Sequence, residues 1–504
     1  MIGSEKRDSS FELKNRIKKV LSLSPDSVAI TFKDHHVTWG QLDQASKGIE
    51  DLLRQAGVQD SAPIGWAARN RPASIATCIS LLVHGRMIVP LRPSFKVGSF
   101  REDIIEQRLQ AVLGDTEDWA GEGVIEAAHS VGSVGIEIGS VDLSLRFLPG
   151  LEHPNKGPFR GPAGENVLER LTSGTTGKPK RIPVSRDILI PSLKSGVLGQ
   201  EGKELVLQRS PALLFKPFSH AGGLFGLLLS LYQARPIVLF EKFSANEWIE
   251  AVKKHRPKSA SLVPTMIRMV LDENPDPESL SSLLAIRSGT APLEQEVQQE
   301  FEERFGVPIL IDYGAAEFIG GLAGWTLKEY KTHGKAKKGS VGRARRDVQI
   351  RVVDEEQFVD LQPGQIGLVE VRSTRYGPDW IRTNDLALID EDGFIFLQGR
   401  IDDAINRGGF KVLPDEVSAV LRQHPAVYDA AVVAKPDTRL GQVPIAAIQL
   451  LQPDGTVNLA ELDAMVRKKL PSYMAPVEYR VIKSLPRTLS MKVSRPELKT
   501  LLGL

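Results

Sequence analysis

The chain has 504 residues, 41% of them hydrophobic and 25% charged, a globular composition with length enough for two or more domains. Its 64 Lys and Arg residues nearly balance its 62 Asp and Glu residues, which gives a net charge of +2. This balance gives no support for a nucleic-acid partner or for attachment to an acidic membrane surface.

Cysteine usage and apolar runs predict where the protein resides. Cys78 is the only cysteine, so a disulfide framework within the chain is excluded, which fits a reducing compartment. Residues 1–19 are charged and lack the apolar run of a signal peptide. The longest apolar run, residues 222–231, is far shorter than the ~20 residues of a membrane-spanning helix. We therefore expect a soluble, cytoplasmic protein without a membrane span.

Strands and helices alternate in the first part of the chain. Residues 11–23 have helical periodicity, segments 28–32 and 35–39 pair as a hairpin, and Thr38 is placed to cap the next helix. The pattern weakens over residues 117–165, where we predict little structure, and returns further along the chain. Such alternation indicates a parallel α/β core.

The pattern changes after residue 339. Short alternating strands at 348–353 and 367–371 are separated by a Pro363-Gly364 turn. The segment beyond Arg400 carries two helices and three strands, and about 100 residues suffice for a small α+β domain.

The segment Leu171-Thr172-Ser173-Gly174-Thr175-Thr176-Gly177-Lys178-Pro179-Lys180 has the composition of a phosphate-binding loop. Its glycines permit close backbone approach, its hydroxyls are donors and its lysines supply positive charge. It is not a Walker A motif, because only two residues separate the glycines and a proline follows Lys178. An ordinary solvated loop is the alternative, and the density of these residues favours phosphate binding.

Other short segments carry residues that could perform chemistry. Taken singly, His220 could be a core histidine, Glu317 a helix cap and Lys492 a surface lysine. Asp385 and Asp402 could be ordinary turn residues. Their order and spacing around the phosphate loop favour a functional interpretation instead.

In that order these segments resemble the adenylate-forming superfamily of acyl-CoA synthetases, peptide-synthetase adenylation domains and luciferases. The resemblance extends over nearly the whole chain, and Arg407-Gly408-Gly409-Phe410-Lys411-Val412 looks most like the acyl-CoA ligase branch. It implies an α/β fold whose large N-terminal domain, residues 1–400, contains two α/β-sheet subdomains plus a small β-barrel. A small mobile α+β C-terminal domain, residues 401–504, would be a lid that carries the catalytic lysine.

The resemblance also implies an activity. ATP and Mg2+ would convert a carboxylic acid, aryl or medium-to-long acyl, to an acyl-adenylate with release of pyrophosphate, and CoA would then form a thioester. The expected partners are therefore a small-molecule carboxylate and CoA. A homodimer is compatible with the sequence, and a carrier protein is not indicated. Transfer of the adenylate to an amine or a carrier protein stays open, as does a degenerate nucleotide-binding regulatory protein.

Individual roles follow from the same resemblance. Lys492 would stabilise charge during adenylation, His220 would border the acid pocket, and Glu317 would be both a catalytic residue and the Mg2+ ligand. Asp402 would be the hinge between the domains. The proposed nucleotide- and CoA-binding residues are Thr172, Ser173, Gly174, Thr175, Thr176, Gly177, Lys178, Lys180, Gly289, Thr290, Ala291, Asp312, Tyr313, Gly314, Ala315, Ala316, Asp385, Arg400, Gly408 and Gly409.

Four positions depart from the usual family pattern. Ala316 replaces a Thr, whereas Met491, Arg181 and Asn384 each replace a Gly. Asn tolerates the left-handed conformation better than other non-Gly residues, so we expect the turn at Asn384 to be retained. None of these departures removes a charged catalytic group.

The resemblance places the acid pocket between residues 220–223 and 314–321. Gly320 and Gly321 are small, which predicts room for a bulky or long acyl group.

Overall fold

A computed structural model describes residues 8–92, 99–155, 157–162, 164–172, 180–197, 204–315, 317–452, 454–488 and 491–504. Residues 173–179, which form most of the predicted phosphate loop, lie outside these ranges, as does Ala316. The described part of the chain forms five β-sheets with helices packed between and around them.

The first region supplies most of one large sheet. Its elements are α1 (Asp8–Leu23), β1 (Val28–Phe32), β2 (His35–Thr38), α2 (Trp39–Gln55), β3 (Ile64–Ala67), α3 (Pro72–His84), β4 (Ile88–Leu91), α4 (Ser99–Gln107), β5 (Ala111–Asp115), α5 (Thr116–Trp119), α6 (Val124–Val131), β6 (Val134–Ile138), β7 (Leu145–Phe147), β8 (Asn166–Thr172), β9 (Lys180–Ser185) and α7 (Arg186–Ser195). The described strands of this sheet have the order β7-β6-β5-β3-β4-β8-β9, parallel in the middle and antiparallel at both edges.

The second region continues the alternation. Its elements are β10 (Ala212–Leu214), α8 (Ala221–Tyr232), β11 (Ile237–Leu239), α9 (Ala245–His255), β12 (Ser259–Leu262), α10 (Pro264–Asp272), β13 (Ala285–Ser288), α11 (Gln295–Phe305), β14 (Ile309–Tyr313), β15 (Ala323–Gly324), α12 (Leu327–His333) and β16 (Arg343–Ala344). In the described residues β10-β11-β1-β2 form one sheet, and β12-β13-β14-β15-β16 form another with a parallel half. These sheets confirm the predicted pair of α/β subdomains.

The third region is antiparallel. It consists of β17 (Val348–Val353), β18 (Gly367–Ser373), β19 (Gly377–Ile389) and β20 (Ile395–Arg400), joined in that order as a half-barrel sheet. Alternating residues of β17 and β18 pack on its core, which is why the period-2 pattern there identified the strands correctly.

The fourth region has a separate core. It consists of β21 (Ile405–Arg407), β22 (Phe410–Val412), α13 (Pro414–Arg422), β23 (Val427–Asp437), β24 (Gly441–Leu450), α14 (Leu459–Lys469), β25 (Glu478–Ile482) and α15 (Arg495–Leu501). Strand β24 lies inside this sheet and pairs with β21, β23 and β25. The small α+β unit predicted from the sequence is therefore present.

Local signals place several boundaries correctly. Thr38 caps α2 as expected: its hydroxyl accepts from the Gln41 amide at 3.2 Å, and Gln41 Oε1 accepts from the Thr38 amide at 2.8 Å. The prediction of little structure over 117–165 is wrong, because α5, α6, β6 and β7 lie there. Strand β6 (VGIEI) is buried on both faces, but it is short, and the glycines in and beside it at 132, 135 and 139 give the segment the composition of a loop.

None of the described helices combines the length and the apolar content needed to cross a membrane. Helix α3 is buried along nearly its whole length, between α1, α2 and the large sheet. Its apolar sequence therefore reflects a position in the protein core.

The C-terminal unit is docked against helix α10. Arg268 donates a hydrogen bond to the backbone carbonyl of Tyr428 at 2.7 Å, and its guanidinium lies over the Tyr428 ring. The Tyr428 hydroxyl donates in turn to Asp272 at 2.9 Å. Arg422 forms an ion pair with Glu294 at 2.7 Å. These contacts hold the fourth region in one orientation.

We predict that Arg268→Ala shifts the protein towards an undocked arrangement. The substitution removes a charge-assisted hydrogen bond that contributes about 1.5–3 kcal/mol to docking. Small-angle X-ray scattering should show a larger radius of gyration than for the unmodified protein. Tyr428→Phe is the matched control, because it keeps the ring and the carbonyl and should change the scattering less. Identical scattering by Arg268→Ala and the unmodified protein would contradict the role given to this contact.

Candidate active site

Strands β13 and β14 are parallel neighbours, so their carboxyl ends meet at one edge of the sheet, where ligands bind in open α/β sheets. Ser288 and Tyr313 are the last residues of these strands. A Cβ on Gly289 would lie 2.7 Å from the carbonyl oxygen of Asp312, so glycine alone permits this close approach. Thr290 follows with φ of +75°, a strained conformation for a β-branched residue. This turn, whose residues Gly289 and Thr290 are among the predicted nucleotide-binding residues, therefore has a strained backbone.

Tyr313, Asp385 and Arg400 meet beside this turn. The Tyr313 hydroxyl donates to Asp385 Oδ2 at 2.6 Å, and Arg400 Nη1 lies 3.3 Å from Asp385 Oδ1. Asp385 and Arg400 face each other across the β19–β20 pair, so the register of the hairpin brings them together. Each carboxylate oxygen of Asp385 can still accept a further hydrogen bond, as a ribose would require.

The environment of this pair is poorly solvated. Burial raises the pKa of Asp385, although Tyr313 and Arg400 oppose the shift. Burial and the neighbouring Asp385 raise the pKa of Tyr313, so its hydroxyl stays protonated and remains a donor. Asp385 is therefore a desolvated acceptor.

Lys492, which belongs to the docked C-terminal unit, lies close enough to Asp385 and Arg400 for their charges to act on it. Burial lowers the pKa of the Lys492 ammonium, and the positive charge of Arg400 lowers it further, while Asp385 acts in the opposite direction. Burial also lowers the pKa of His220, and Lys492 contributes to that shift. The predicted residues Lys492, His220, Arg400 and Asp385 are thus brought within electrostatic reach of one another.

Met491 shows how the chain accommodates a departure from the family pattern. Its φ is +66°, in the left-handed region that favours glycine. Its side chain packs against the core of the second region, and its carbonyl accepts from Thr265 at 3.3 Å and from Arg487 at 3.0 Å. The backbone conformation suited to glycine is retained, and packing offsets the strain.

Asn384 behaves differently from the expectation of a left-handed turn. It lies inside β19, where the backbone is extended, and its side-chain Nδ2 donates to Asp402 Oδ2 at 3.2 Å. The expectation of a turn at Asn384 is therefore wrong, because the continuous strand makes a left-handed residue unnecessary.

Arg400 also contacts the predicted hinge residue. Arg400 lies 3.0 and 2.9 Å from the two carboxylate oxygens of Asp402, which sits in a short 3-10 turn, Ile401–Asp403. Burial would raise the pKa of Asp402, but the hydrogen bonds from Arg400 and Asn384 outweigh burial and lower it. Asp402 is therefore held as an anion at the boundary between the third and fourth regions.

Glu317 is exposed and lies close enough to Asp385, Tyr313 and Arg170 to influence their ionisation. No cluster of three or more potential metal ligands occurs among the described residues. One free carboxylate nevertheless fits Mg2+, which usually binds one or two carboxylates together with phosphate oxygens. Glu317 is thus suited to the predicted metal role.

The ends of the predicted phosphate loop and the predicted CoA loop lie on other sheets. Thr172 and Lys180 are partners in the β8–β9 pair, so both ends of the phosphate loop are fixed at an edge of the large sheet. Gly408 and Gly409, with φ of 57° and 90°, form the tight turn between β21 and β22. Contacts of the described residues do not join this turn to Tyr313 or Asp385. The structure therefore brings together the residues predicted to act in adenylation but does not bring the predicted CoA loop to them.

Sequence reasoning missed several charged residues near the acid pocket, namely Lys216, Arg287 and Arg345. Lys216 lies just beyond the parallel strand β10 and Arg287 lies within the parallel strand β13, whereas Arg345 follows β16, a short antiparallel strand that is not apolar. For Lys216 and Arg287, a charged residue at the carboxyl end of a parallel strand was the available signal, since such ends line ligand sites.

The comparisons with known proteins identify the family. The family model described as AMP-binding enzyme matches residues 17–376, and the AMP-binding enzyme C-terminal domain matches residues 416–492. The chain belongs to the AMP-binding enzyme family, as the sequence resemblance predicted.

The individual relatives align over most of the chain but at low sequence identity. The chain is 26% identical to the 2-succinylbenzoate–CoA ligase of Bacillus pumilus, covering 95% of this chain and 96% of that protein. It is 27% identical to the peroxisomal OPC-8:0-CoA ligase 1 of Arabidopsis thaliana, covering 92% and 88%. The o-succinylbenzoate CoA synthetase of Bacillus subtilis, solved with an acyl-adenylate intermediate, superposes with a TM-score of 0.78 at 24% identity over 96% and 98%. This last likeness confirms the fold.

We predict that Asp385→Ala lowers the affinity for ATP by about tenfold to a hundredfold, since charge-assisted hydrogen bonds are lost. Isothermal calorimetry with ATP measures the effect, and thermal unfolding checks that the variant is folded. Tyr313→Phe is the matched control, because it removes the other half of the Tyr313–Asp385 hydrogen bond but keeps the carboxylate. An unchanged affinity in Asp385→Ala would remove this residue from the nucleotide site.

Proposed function

We propose that this protein is an acid–CoA ligase that forms an acyl-adenylate from ATP and a carboxylic acid and then transfers the acyl group to CoA. The main support is the convergence of Lys492 with Arg400, Asp385 and His220 in the docked arrangement. The CoA ligases among its relatives, which align over nearly the full chain, support the choice of acceptor.

The first half-reaction brings two anions together. A carboxylate oxygen attacks the α-phosphorus of ATP, and the bond from that phosphorus to the oxygen that leaves with pyrophosphate breaks. Lys492 and Arg400 supply positive charge where the reactants meet, which lowers the barrier without proton transfer. Asp385 would hold the ribose, Tyr313 would stack on the adenine, and the loop from Thr172 to Lys180 would hold the outer phosphates.

Mg2+ bound by Glu317 and phosphate oxygens would neutralise charge on the leaving pyrophosphate. Thr290 and the neighbouring Gly289 and Ala291 would cover the second face of the adenine. His220 begins helix α8 as its N-cap and would border the bound acid.

The second half-reaction requires a different arrangement of the domains. Lys492 occupies the site in the docked state, so it must withdraw before a thiol can reach the adenylate. We propose residues 1–400 and 401–504 as the two moving bodies, with Asp402 as the hinge. The Gly408-Gly409 turn, next to the exposed Phe410, would then face the pantetheine arm of CoA. The predicted cytoplasmic location and homodimer remain predictions.

We predict that Lys492→Ala reduces adenylation by at least about a hundredfold, because the positive charge at the α-phosphate is lost. The variant should still convert a supplied acyl-adenylate and CoA to thioester at near the unmodified rate, since Lys492 has then withdrawn. Pyrophosphate release measures the first step, and chromatography of the acyl-CoA product measures the second. Equal loss of both steps would contradict the assigned role.

Pyrophosphate release over a panel of aryl and fatty acids, with and without CoA, tests the proposed function itself. Release with formation of a thioester supports it. Accumulation of adenylate that CoA does not discharge would indicate an amine or carrier-protein acceptor. ATP binding without release for any acid would indicate a degenerate regulatory protein.

A further inference from the structure

Charged side chains line the inner end of the region where the acid is expected. Ser261 and Arg287 are direct partners in the β12–β13 pair, and therefore lie on the same face of the sheet. Arg287 Nη1 lies 2.9 and 3.1 Å from the two carboxylate oxygens of Asp312, the penultimate residue of β14. Arg345, just beyond β16, lies 3.1 Å from the same carboxylate. Lys216 donates to Ser261 Oγ at 2.9 Å.

This cluster lies at the acid pocket. The stem of Lys216 runs 4.0 Å from where a Cβ on Gly222 would be, in the segment that follows His220. The guanidinium of Arg345 lies 2.7 Å from a Cβ built on Gly321. The two walls of the predicted pocket therefore each carry one of these cations.

The same geometry changes the interpretation of the pocket glycines. Arg345 occupies the space over Gly321, and Arg375 lies 3.4 Å from a Cβ built on Gly320. Because Gly320 and Gly321 have no side chains, they leave room for the side chains of Arg375 and Arg345. The size argument for a bulky acyl group is therefore not supported, since that space is taken.

The charges in the cluster do not balance. Three cations, Lys216, Arg287 and Arg345, surround one carboxylate, Asp312, which both guanidiniums already share. Among the described residues, Lys216 has a hydroxyl partner but no ion-pair partner. Burial lowers the pKa of Lys216 to about 8, while Asp312 acts against that shift, so the ammonium is mostly charged at neutral pH.

Two further features indicate that the excess charge serves a ligand. The Nε of Arg345 is buried without a hydrogen-bond partner among the described residues. The Arg287 side chain is 43% exposed although it lies within a parallel sheet, so it faces open space. A buried cation without a counter-ion is costly to the folded state, and an anionic ligand would relieve that cost.

Building on the proposed ligase function, we propose that the acid it activates carries a second carboxylate, which Lys216 binds together with Arg287 and Arg345. One carboxylate of the substrate would face Lys492 and react, while the other would enter the cationic cluster. The cluster thus selects dicarboxylic acids over monocarboxylic acids of the same length.

Matched pairs of acids test this proposal. The kcat/KM for pyrophosphate release is measured for straight-chain and aryl dicarboxylic acids, each beside the monocarboxylic acid with the same number of carbons. We expect at least one dicarboxylic acid to exceed its partner by about tenfold or more, the scale of one charge-assisted hydrogen bond. Equal or better activity with the monocarboxylic acids would overturn the proposal and leave the ligase function standing. Absence of release with every acid would overturn both.

Lys216→Met distinguishes substrate binding from a structural role. It keeps the length of the stem and removes the charge, so kcat/KM for the preferred dicarboxylic acid should fall by about tenfold to a hundredfold, mainly through KM. The preference over the monocarboxylic acid should shrink by the same factor. Arg287→Met, at a partly exposed position, should reduce the preference too. Lys254→Met, on the exposed face of α9, is the matched control and should leave the preference unchanged. An equal loss for both acids in Lys216→Met would assign Lys216 a structural role and overturn the proposal.

Discussion

Arg400 connects the proposed nucleotide site to the proposed hinge. It lies between Asp385, which accepts from Tyr313, and Asp402, which begins the C-terminal unit. Its positive charge also lowers the pKa of Lys492. Because one guanidinium contacts both carboxylates, a rotation about the proposed hinge at Asp402 would change the environment of Asp385, the proposed ribose ligand. In the proposed mechanism, Arg400 therefore couples the geometry of the adenylation site to the orientation of the C-terminal unit.

Docking of the C-terminal unit also stabilises the strained backbone at Met491, next to Lys492. Met491 adopts a backbone conformation that is unfavourable for its side chain. Its apolar contact with the second region and the hydrogen bond from Thr265 depend on docking, whereas the hydrogen bond from Arg487 lies within the C-terminal unit. On undocking, the contacts with the second region are lost and the strain remains unless the backbone relaxes. These contacts with the second region therefore stabilise the docked arrangement of the loop that carries Lys492.

Local sequence signals predicted the fold well where they are strong. The Thr38 cap, the period-2 strands of the half-barrel and the alternating strands and helices all have short-range causes. Short motifs also led to Asp385, Arg400 and Lys492, which the structure brings close together, and their roles in adenylation stay predictions. Strand β6 was missed because it is short and the glycines at 132, 135 and 139 give the segment the composition of a loop. Lys216 and Arg287 carry a strand-end signal, but Arg345 joins the cluster only through its ion pair with Asp312, which no local pattern reports.

In the proposed acid pocket, Asp312 has a role besides the nucleotide-binding role expected from the sequence, which stays a prediction. Its carboxylate points towards Arg287 and Arg345, and it lies 2.3 Å from a Cβ built on Gly324, so the side chain passes over a glycine. A carboxylate that fixes two guanidiniums restricts their rotamers before any ligand arrives, which reduces the entropy lost on binding. It also cancels one of three positive charges. The remaining charge of +2 is more than enough to receive the second carboxylate of the proposed substrate.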